Sequence, residues 1–391
     1  MLYIFDEPSV GLHPRDVARI NAIFTKLRDK GNTVLIIEHD PDVIKIADWV
    51  VEVGPAAGIH GGEIMFEGSY AQLLQSDCLT GQYLAEKTLI NATPRQAVHF
   101  YQGKISSANN LKKQALDIPQ GLLTVVTGVA GSGKSTLVEH SLRAAYPEAV
   151  MITQASLAAN SRSNPATFIG IMDAIRKAFA KENDVKPSLF SYNSEGACPD
   201  CEGRGYIESR LAFMETVKQT CELCQGKRYK AEALSFKYQG KDITEVLGLT
   251  IEEALDFFQN IPIIKKKVKA MNEVGLGYLT LGQSTSTLSG GERQRLKLAN
   301  EFYQKGNLFI LDEPSTGLHL SDIGRLMKIM NHFVEQGNTL VVIEHQLDIM
   351  RQADWIIDVG PDGGSSGGEV VYAGPPAGLQ DCATSLTAKY I

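Results

Sequence analysis

The sequence predicts an α/β protein: a parallel sheet with helices outside it, an inserted domain of a different kind, and part of a second copy of the same lobe at the N-terminus. Three observations carry that expectation. Gly128-Val-Ala-Gly-Ser-Gly-Lys-Ser-Thr136 fits G-x-x-x-x-G-K-[ST] between an apolar run and a helix start. Leu2-Tyr-Ile-Phe-Asp-Glu-Pro-Ser-Val-Gly-Leu-His13 recurs as Leu308-Phe-Ile-Leu-Asp-Glu-Pro-Ser-Thr-Gly-Leu-His319. Residues 156–285 break the strand–helix rhythm and hold two C-x-x-C pairs.

The repeat keeps a constant offset of 306. Gly31-Asn-Thr-Val-Leu-Ile-Ile-Glu-His39 matches Gly337-Asn-Thr-Leu-Val-Val-Ile-Glu-His345, Ala47-Asp-Trp49 matches Ala353-Asp-Trp355, and Gly61-Gly-Glu63 matches Gly367-Gly-Glu369. An ungapped repeat of this length means two copies of one domain type. Each copy reads strand, helix, strand. Val17, Ile20, Ile23, Phe24 and Leu27 fall at helical spacing, with Gly31 placed as a stop. Ile323, Leu326, Met330 and Phe333 repeat that stripe, and both stripes read as core packing. Thr33 to Ile37 and Thr339 to Ile343 are β-branched strands ending in Glu-His. Strands alternating with helices put ligand groups at the strands' carboxyl ends.

Between the copies, Ala92-Thr-Pro-Arg95 reads as linker and Ala97 to Ile118 as β structure. Leu122 to Thr127 is the strand before the phosphate loop, Leu137 to Arg143 can begin a helix, and Ala149 to Thr153 is a strand ending at Gln154. The expected domains are 1–90, 91–155, 156–285 and 286–391.

Composition is that of an ordinary globular chain, 43% apolar and 21% charged over 391 residues. No run of apolar residues is long enough to span a membrane, and Met1 to Glu7 has neither a basic segment nor a cleavage site. A net charge of −7 gives no whole-chain argument for nucleic acid. Charge is uneven, though: residues 156–285 carry 17 basic against 16 acidic side chains, and the rest is acidic. Six cysteines, four of them paired as C-x-x-C, fit a metal site in a reducing compartment better than a disulfide framework.

The chemistry follows from residue types. Gly128, Gly131 and Gly133 let backbone N–H groups turn inward around a β-phosphate at a helix N-terminus. Lys134 reaches the β- and γ-phosphates, and Ser135, followed by Thr136, holds magnesium. Leu308-Phe-Ile-Leu ends in Asp312, a magnesium carboxylate, and Glu313, a general base for water. His345 closes the next strand and either reaches the γ-phosphate or is a satisfied strand-end histidine. Ser289, Gly290 and Gly291 open a helix, which makes either a second anion cradle or a simple N-cap. Cys198, Cys201, Cys221 and Cys224 have 19 residues between the pairs, within the range for a closed structural zinc site. Reduced thiols in a turn-rich domain fit the same spacing. Gly203, Gly205 and Gly226 follow the pairs where tight turns are needed. Arg204, Lys227, Arg228 and Lys230 flank them, as phosphate contacts or as a solvated rim. Cys78 and Cys382 read as structural.

Leu288-Ser-Gly-Gly-Glu292 followed by an apolar strand with Asp-Glu and a strand-end His resembles the ABC ATPases. In that family the signature of one domain faces the phosphate loop of another across ATP. Asn109-Asn-Leu-Lys112, Arg162-Ser-Asn-Pro-Ala-Thr167, the cysteine pairs, Gly275-Leu-Gly-Tyr-Leu-Thr-Leu-Gly-Gln283 and Asp354-Trp-Ile-Ile-Asp-Val-Gly-Pro361 narrow the likeness to the UvrA family of bacterial nucleotide excision repair, over essentially the whole chain. The resemblance implies an ABC-type P-loop ATPase core with an inserted zinc-binding α+β domain, in a cytoplasmic protein. Its cofactors are ATP, Mg2+ and Zn2+, and Gln154 is catalytic beside Glu313 and His345. It also implies damaged duplex DNA, a UvrB-like subunit and a dimer as partners, with no membrane. Two departures stand out. The chain begins at the first repeat's Asp6-Glu7 strand, so the first phosphate loop and signature of the family are expected upstream of Met1, or a second chain pairs to complete each site. The stretch Leu137 to Gln154 is short, as in UvrA-like paralogues linked to antibiotic self-resistance, which keeps that substrate class and a non-catalytic fragment as alternatives.

Overall fold

The computed structural model describes residues 1–55, 61–86, 88–105, 111–112, 114–153, 162–209 and 217–391. The chain divides into two compact units, residues 1–155 with 289–391, and residues 156–288.

The first unit begins with β1 (Leu2–Asp6), the helix Pro14–Asp29, β2 (Thr33–Ile37), β3 (Val50–Gly54) and β4 (Glu63–Gly68). The hairpin β5 (Phe100–Ile105) and β6 (Gln114–Pro119) then leads into β7 (Leu123–Thr127). After the phosphate loop the helix starts at Lys134, three residues before the apolar run. It is α-helical only to Leu137 and continues as a π turn over Val138–Arg143. The strand β8 spans Val150–Ile152.

The second unit holds β9 (Tyr206–Ser209) paired antiparallel with β10 (Val217–Thr220), flanked by short helices. The core resumes with the helix Gly290–Glu301, β11 (Leu308–Asp312), the helix Leu320–Glu335, β12 (Thr339–Ile343), β13 (Trp355–Gly360) and β14 (Glu369–Gly374). One six-stranded sheet has the order β14-β13-β7-β12-β11-β8, parallel except for the β13–β14 pair. Its central strands β7 and β12 are buried at every residue, which is why they read as continuous apolar runs with no alternation.

The repeat is visible in the backbone. The pair β1–β2 aligns Leu2 with Thr33 and Asp6 with Ile37; β11–β12 aligns Leu308 with Thr339 and Asp312 with Ile343. The antiparallel pairs β3–β4 and β13–β14 carry a bulge at equivalent places, Glu52/Val53 and Asp358/Val359. Even the residue after each Asp matches: Glu7 has φ +44° and Glu313 φ +46°.

Burial separates the copies. Ile323, Leu326, Met330 and Phe333 are all buried as expected, whereas in the N-terminal stripe Val17 and Phe24 are buried and Ile23 is exposed. Both stripes pack as core, with Ile23 the exposed member of the N-terminal one. On the sheets, Ile310 and Val341 are fully buried in one core cluster with Leu137 and Val138 of the following helix, while their counterparts Ile4 and Leu35 are exposed.

The segment that reads as linker is pinned. Buried Asp354 accepts from Arg95 N at 3.0 Å, from Arg95 Nη1 at 2.8 Å and from Leu123 N at 3.0 Å, so it joins the segment before β5 to the first residue of β7.

Candidate functional site

The site grows from three neighbouring strands of the six-stranded sheet. Their carboxyl ends carry the phosphate loop (β7), Glu344 and His345 (β12), and Asp312 and Glu313 (β11). This is where an open parallel sheet presents ligand groups.

The loop conformation needs its glycines. Gly128 has φ +137°, and a Cβ there would stand 2.1 Å from Val359 O. Gly131 has φ +72°, and Gly133, the residue before the helix, φ +104°. Lys134 is buried, and its Nζ donates to Gly128 O at 2.9 Å and Val129 O at 3.0 Å. Burial lowers its pKa to about 8 against the opposing pull of Glu313, Asp358, Asp16 and Asp312. Ser135 is exposed and Thr136 half-buried at the open side of the helix start.

Asp312 and Glu313 are partly buried, and both carboxyls titrate above the usual range. Desolvation is the main cause for each; Glu139 adds to it for Asp312, and Glu344 and Asp312 add to it for Glu313. His345 is buried, which pushes its pKa well down, with Lys134 and His13 acting in the same direction. Its Nε2 lies 3.9 Å from Glu313 Oε1, and its Nδ1 has no hydrogen-bond partner among the described residues. Gln154 lies outside the described residues.

Ser289 caps the helix Gly290–Glu301: its Oγ accepts from Glu292 N at 3.2 Å, and Ser289 N donates to Glu292 Oε2 at 2.6 Å. Gly290 is the first helical residue. Gly291 packs so closely on the turn after β11 that a Cβ would meet Thr316 O at 2.7 Å.

Sequence reasoning missed three groups. Glu344 accepts from Ser315 N at 2.9 Å, His345 N at 2.7 Å and Gln346 N at 3.1 Å, and so fixes the strand end that carries His345 to the turn after Glu313. Glu38 does the same for Ser9, His39 and Asp40. The repeated Glu-His pair was the available signal. Gln294, buried, donates to Asp312 O at 2.8 Å and Ile152 O at 3.3 Å, tying the Ser289 helix to the ends of β11 and β8. A cavity of about 710 Å³ lies between the two copies, lined by Glu7, His39, Glu38, Glu313, His345 and Glu344.

The second unit brings the four cysteines together. Cys198, Cys201, Cys221 and Cys224 are buried with their sulfurs within 4.8 Å of one another, Cys198–Cys221 at 3.9 Å and Cys201–Cys224 at 3.6 Å. Four thiolates around zinc at ~2.3 Å in a tetrahedron stand about 3.8 Å apart, so the donor set fits. Gly203 has φ +75°, and a Cβ there would meet Tyr192 O at 1.8 Å. The flanking bases are partly engaged. Arg228 lies over the Tyr192 ring, Lys230 pairs with Glu232 and Arg204 with Glu202.

A family model described as ABC transporter matches residues 111–316. The UvrABC system protein A of Bacillus subtilis (strain 168) is 42% identical over 427 residues, which take in all of this chain and 45% of that protein. The Staphylococcus aureus (strain COL) protein of the same name is 43% identical over 428 residues, with 100% and 45% covered. The chain thus spans about half the length of the curated relatives it matches. The crystal structure of UvrA2 from Deinococcus radiodurans superposes with a TM-score of 0.92 at 40% identity, covering 100% of this chain and 51% of that one. Ribosome-bound archaeal Pelota and ABCE1, at 17% identity and TM-score 0.53, shares the fold. Among the described residues no helix is long and apolar enough to cross a membrane.

The lysine gives a pH signature. Its ammonium is what a phosphate recognises, and the free site loses that proton as pH rises through about 8. Binding holds the proton on, so affinity is full below that value and falls above it. Isothermal titration with a nucleoside triphosphate should show Kd rising roughly fivefold from pH 8 to pH 9, with net proton uptake at pH 8.5. A flat profile would contradict a buried, neutralising lysine.

Proposed function

The chain belongs to the ABC ATPase family, in its UvrA branch, and on that premise we propose that it binds and hydrolyses ATP at the Lys134 site, as part of a UvrA-type protein that controls binding to damaged DNA. The observation that carries this is the convergence of Lys134, Asp312, Glu313 and His345 at the ends of three adjacent strands.

Each residue has a physical role. The amides of residues 129–134 and the helix start cradle the β-phosphate. Lys134 exchanges the carbonyls of Gly128 and Val129 for the β- and γ-phosphate oxygens, which match its charge better. Asp312 and Ser135 are the hard oxygen donors that magnesium takes; the bound ion supplies positive charge along the phosphates. Glu313, raised in pKa by burial and by Glu344 and Asp312, is a base strong enough to orient and partly deprotonate the attacking water. His345, neutral at pH 7, offers a ring N–H to the γ-phosphate. Gln154 stands with them on the strength of the resemblance.

Ser289, Gly290 and Gly291 serve a facing site, so a second ATPase lobe or a second chain completes the arrangement, in keeping with a dimer. The four cysteines hold zinc as a closed structural site. The second unit, with Arg204 and Lys227 at its knuckles, meets duplex DNA through phosphates. A UvrB-like subunit is the partner the family implies.

Wild-type chain should bind the non-hydrolysable ATP analogue AMP-PNP with magnesium. Lys134→Ala should weaken it by about two orders of magnitude or more, the loss of a charge-assisted phosphate contact in a buried site. Binding unchanged by that substitution would refute the site assignment. Freshly purified reduced protein should contain one zinc per chain by plasma mass spectrometry, and Cys221→Ser should lose it together with the second unit's thermal stability. Zinc well below one per chain would remove the metal from the account.

A further inference from the structure

The turn after each copy's Glu ends in a histidine, His13 and His319, that the ATPase reading leaves unused. Both turn away from their own copy. His13 is fully buried, and its Nε2 lies 3.1 Å from Thr387 Oγ1. Thr387 Oγ1 in turn donates to Asp358 Oδ1 at 3.0 Å, and Ser385 Oγ to Asp358 Oδ2 at 2.5 Å. His13 Nδ1 accepts from Arg15 N at 3.2 Å. A backbone N–H can only donate, so Nδ1 is bare and Nε2 carries the hydrogen that goes to Thr387. The direction of the whole chain, from His13 through Thr387 to Asp358, is thereby fixed. His13 stays neutral: burial lowers its pKa to about 4, helped by Lys134.

The ring held this way meets His345. Their centroids are 6.2 Å apart at 87°, edge against face. Among the described residues, His345 has a buried Nδ1 without a partner and no side-chain hydrogen bond to set its χ angles. Its orientation comes from packing, and His13 is the ring it packs on. The second copy mirrors this. His319 Nε2 lies 2.9 Å from Thr80 Oγ1, Thr80 N donates to Glu52 at 3.4 Å, and the His319 ring stands 5.9 Å from that of His39 at 77°. The two histidine–histidine contacts recur at the repeat's offset of 306.

We propose that His13 is a positioning residue for the Lys134 site: the N-terminal copy inserts it, locked by Thr387 and Asp358, to hold the His345 ring at the γ-phosphate. This rests on the reading of His345 as a γ-phosphate ligand. It makes the site dependent on a residue far outside its own motifs. It also gives the C-terminal segment a task, since Ser385, Thr387 and Tyr390, whose ring is 5.8 Å from His13, build the socket.

The test is the ratio of affinities for AMP-PNP and ADP, which differ only in the γ-group. His13→Ala should weaken AMP-PNP about five- to tenfold, the size of one lost hydrogen bond to the γ-phosphate, and leave ADP within about twofold. Thr387→Val, which keeps the shape and removes only the lock, should move the ratio in the same direction by less. In a His345→Ala background, His13→Ala should add nothing. Equal losses for both nucleotides, or an additive loss in the double variant, would overturn the positioning role. Wild-type chain that binds neither nucleotide would overturn the ATP-site reading beneath it, and the inference with it.

Discussion

Everything at the site depends on one buried carboxylate. Glu344 accepts from three backbone amides, those of Ser315, His345 and Gln346. Those amides belong to two different strand ends. A carboxylate taken fully out of water needs such partners, because each unmade hydrogen bond would cost roughly 1–3 kcal/mol or more. The same need ties the turn that follows Glu313 to the residue that presents His345. Burial chiefly, with the Glu344 charge adding to it, raises the pKa of the Glu313 carboxyl. Glu38 repeats the device in the other copy, so the geometry is a property of the repeated lobe.

The phosphate loop, the Asp312–Glu313 strand end, the cysteine quartet and the repeat were legible in the sequence because each is a local pattern with a local cause. Gly128 must be glycine because Val359 O leaves no room for a Cβ, and a motif records such a constraint. Long-range pairings left no comparable trace. Nothing near Glu344 says that Ser315, 29 residues away, needs its carboxylate, and nothing near His13 points to Thr387, 374 residues on. Both residues were visible as halves of matched pairs, and their roles came only with the fold. Ile23 misled because helical spacing reports a face and not what covers it. Its equivalent Ile329 is buried while Ile23 is exposed.

The two copies also differ in what their strands face. Ile310 and Val341 lie under the helix that follows the phosphate loop, and Ile4 and Leu35 lie open. Each copy sets a histidine against a ring of the other, so residues of both halves meet beside the Lys134 site.

Counting sites tests that account most directly. Equilibrium dialysis of the wild-type chain against labelled AMP-PNP and magnesium, taken to saturation, should give one nucleotide per chain, at the lone G-x-x-x-x-G-K-[ST] loop. Two nucleotides per chain would contradict it, because the second would have to sit at Asp6, Glu7 and His39, where this chain offers no phosphate loop.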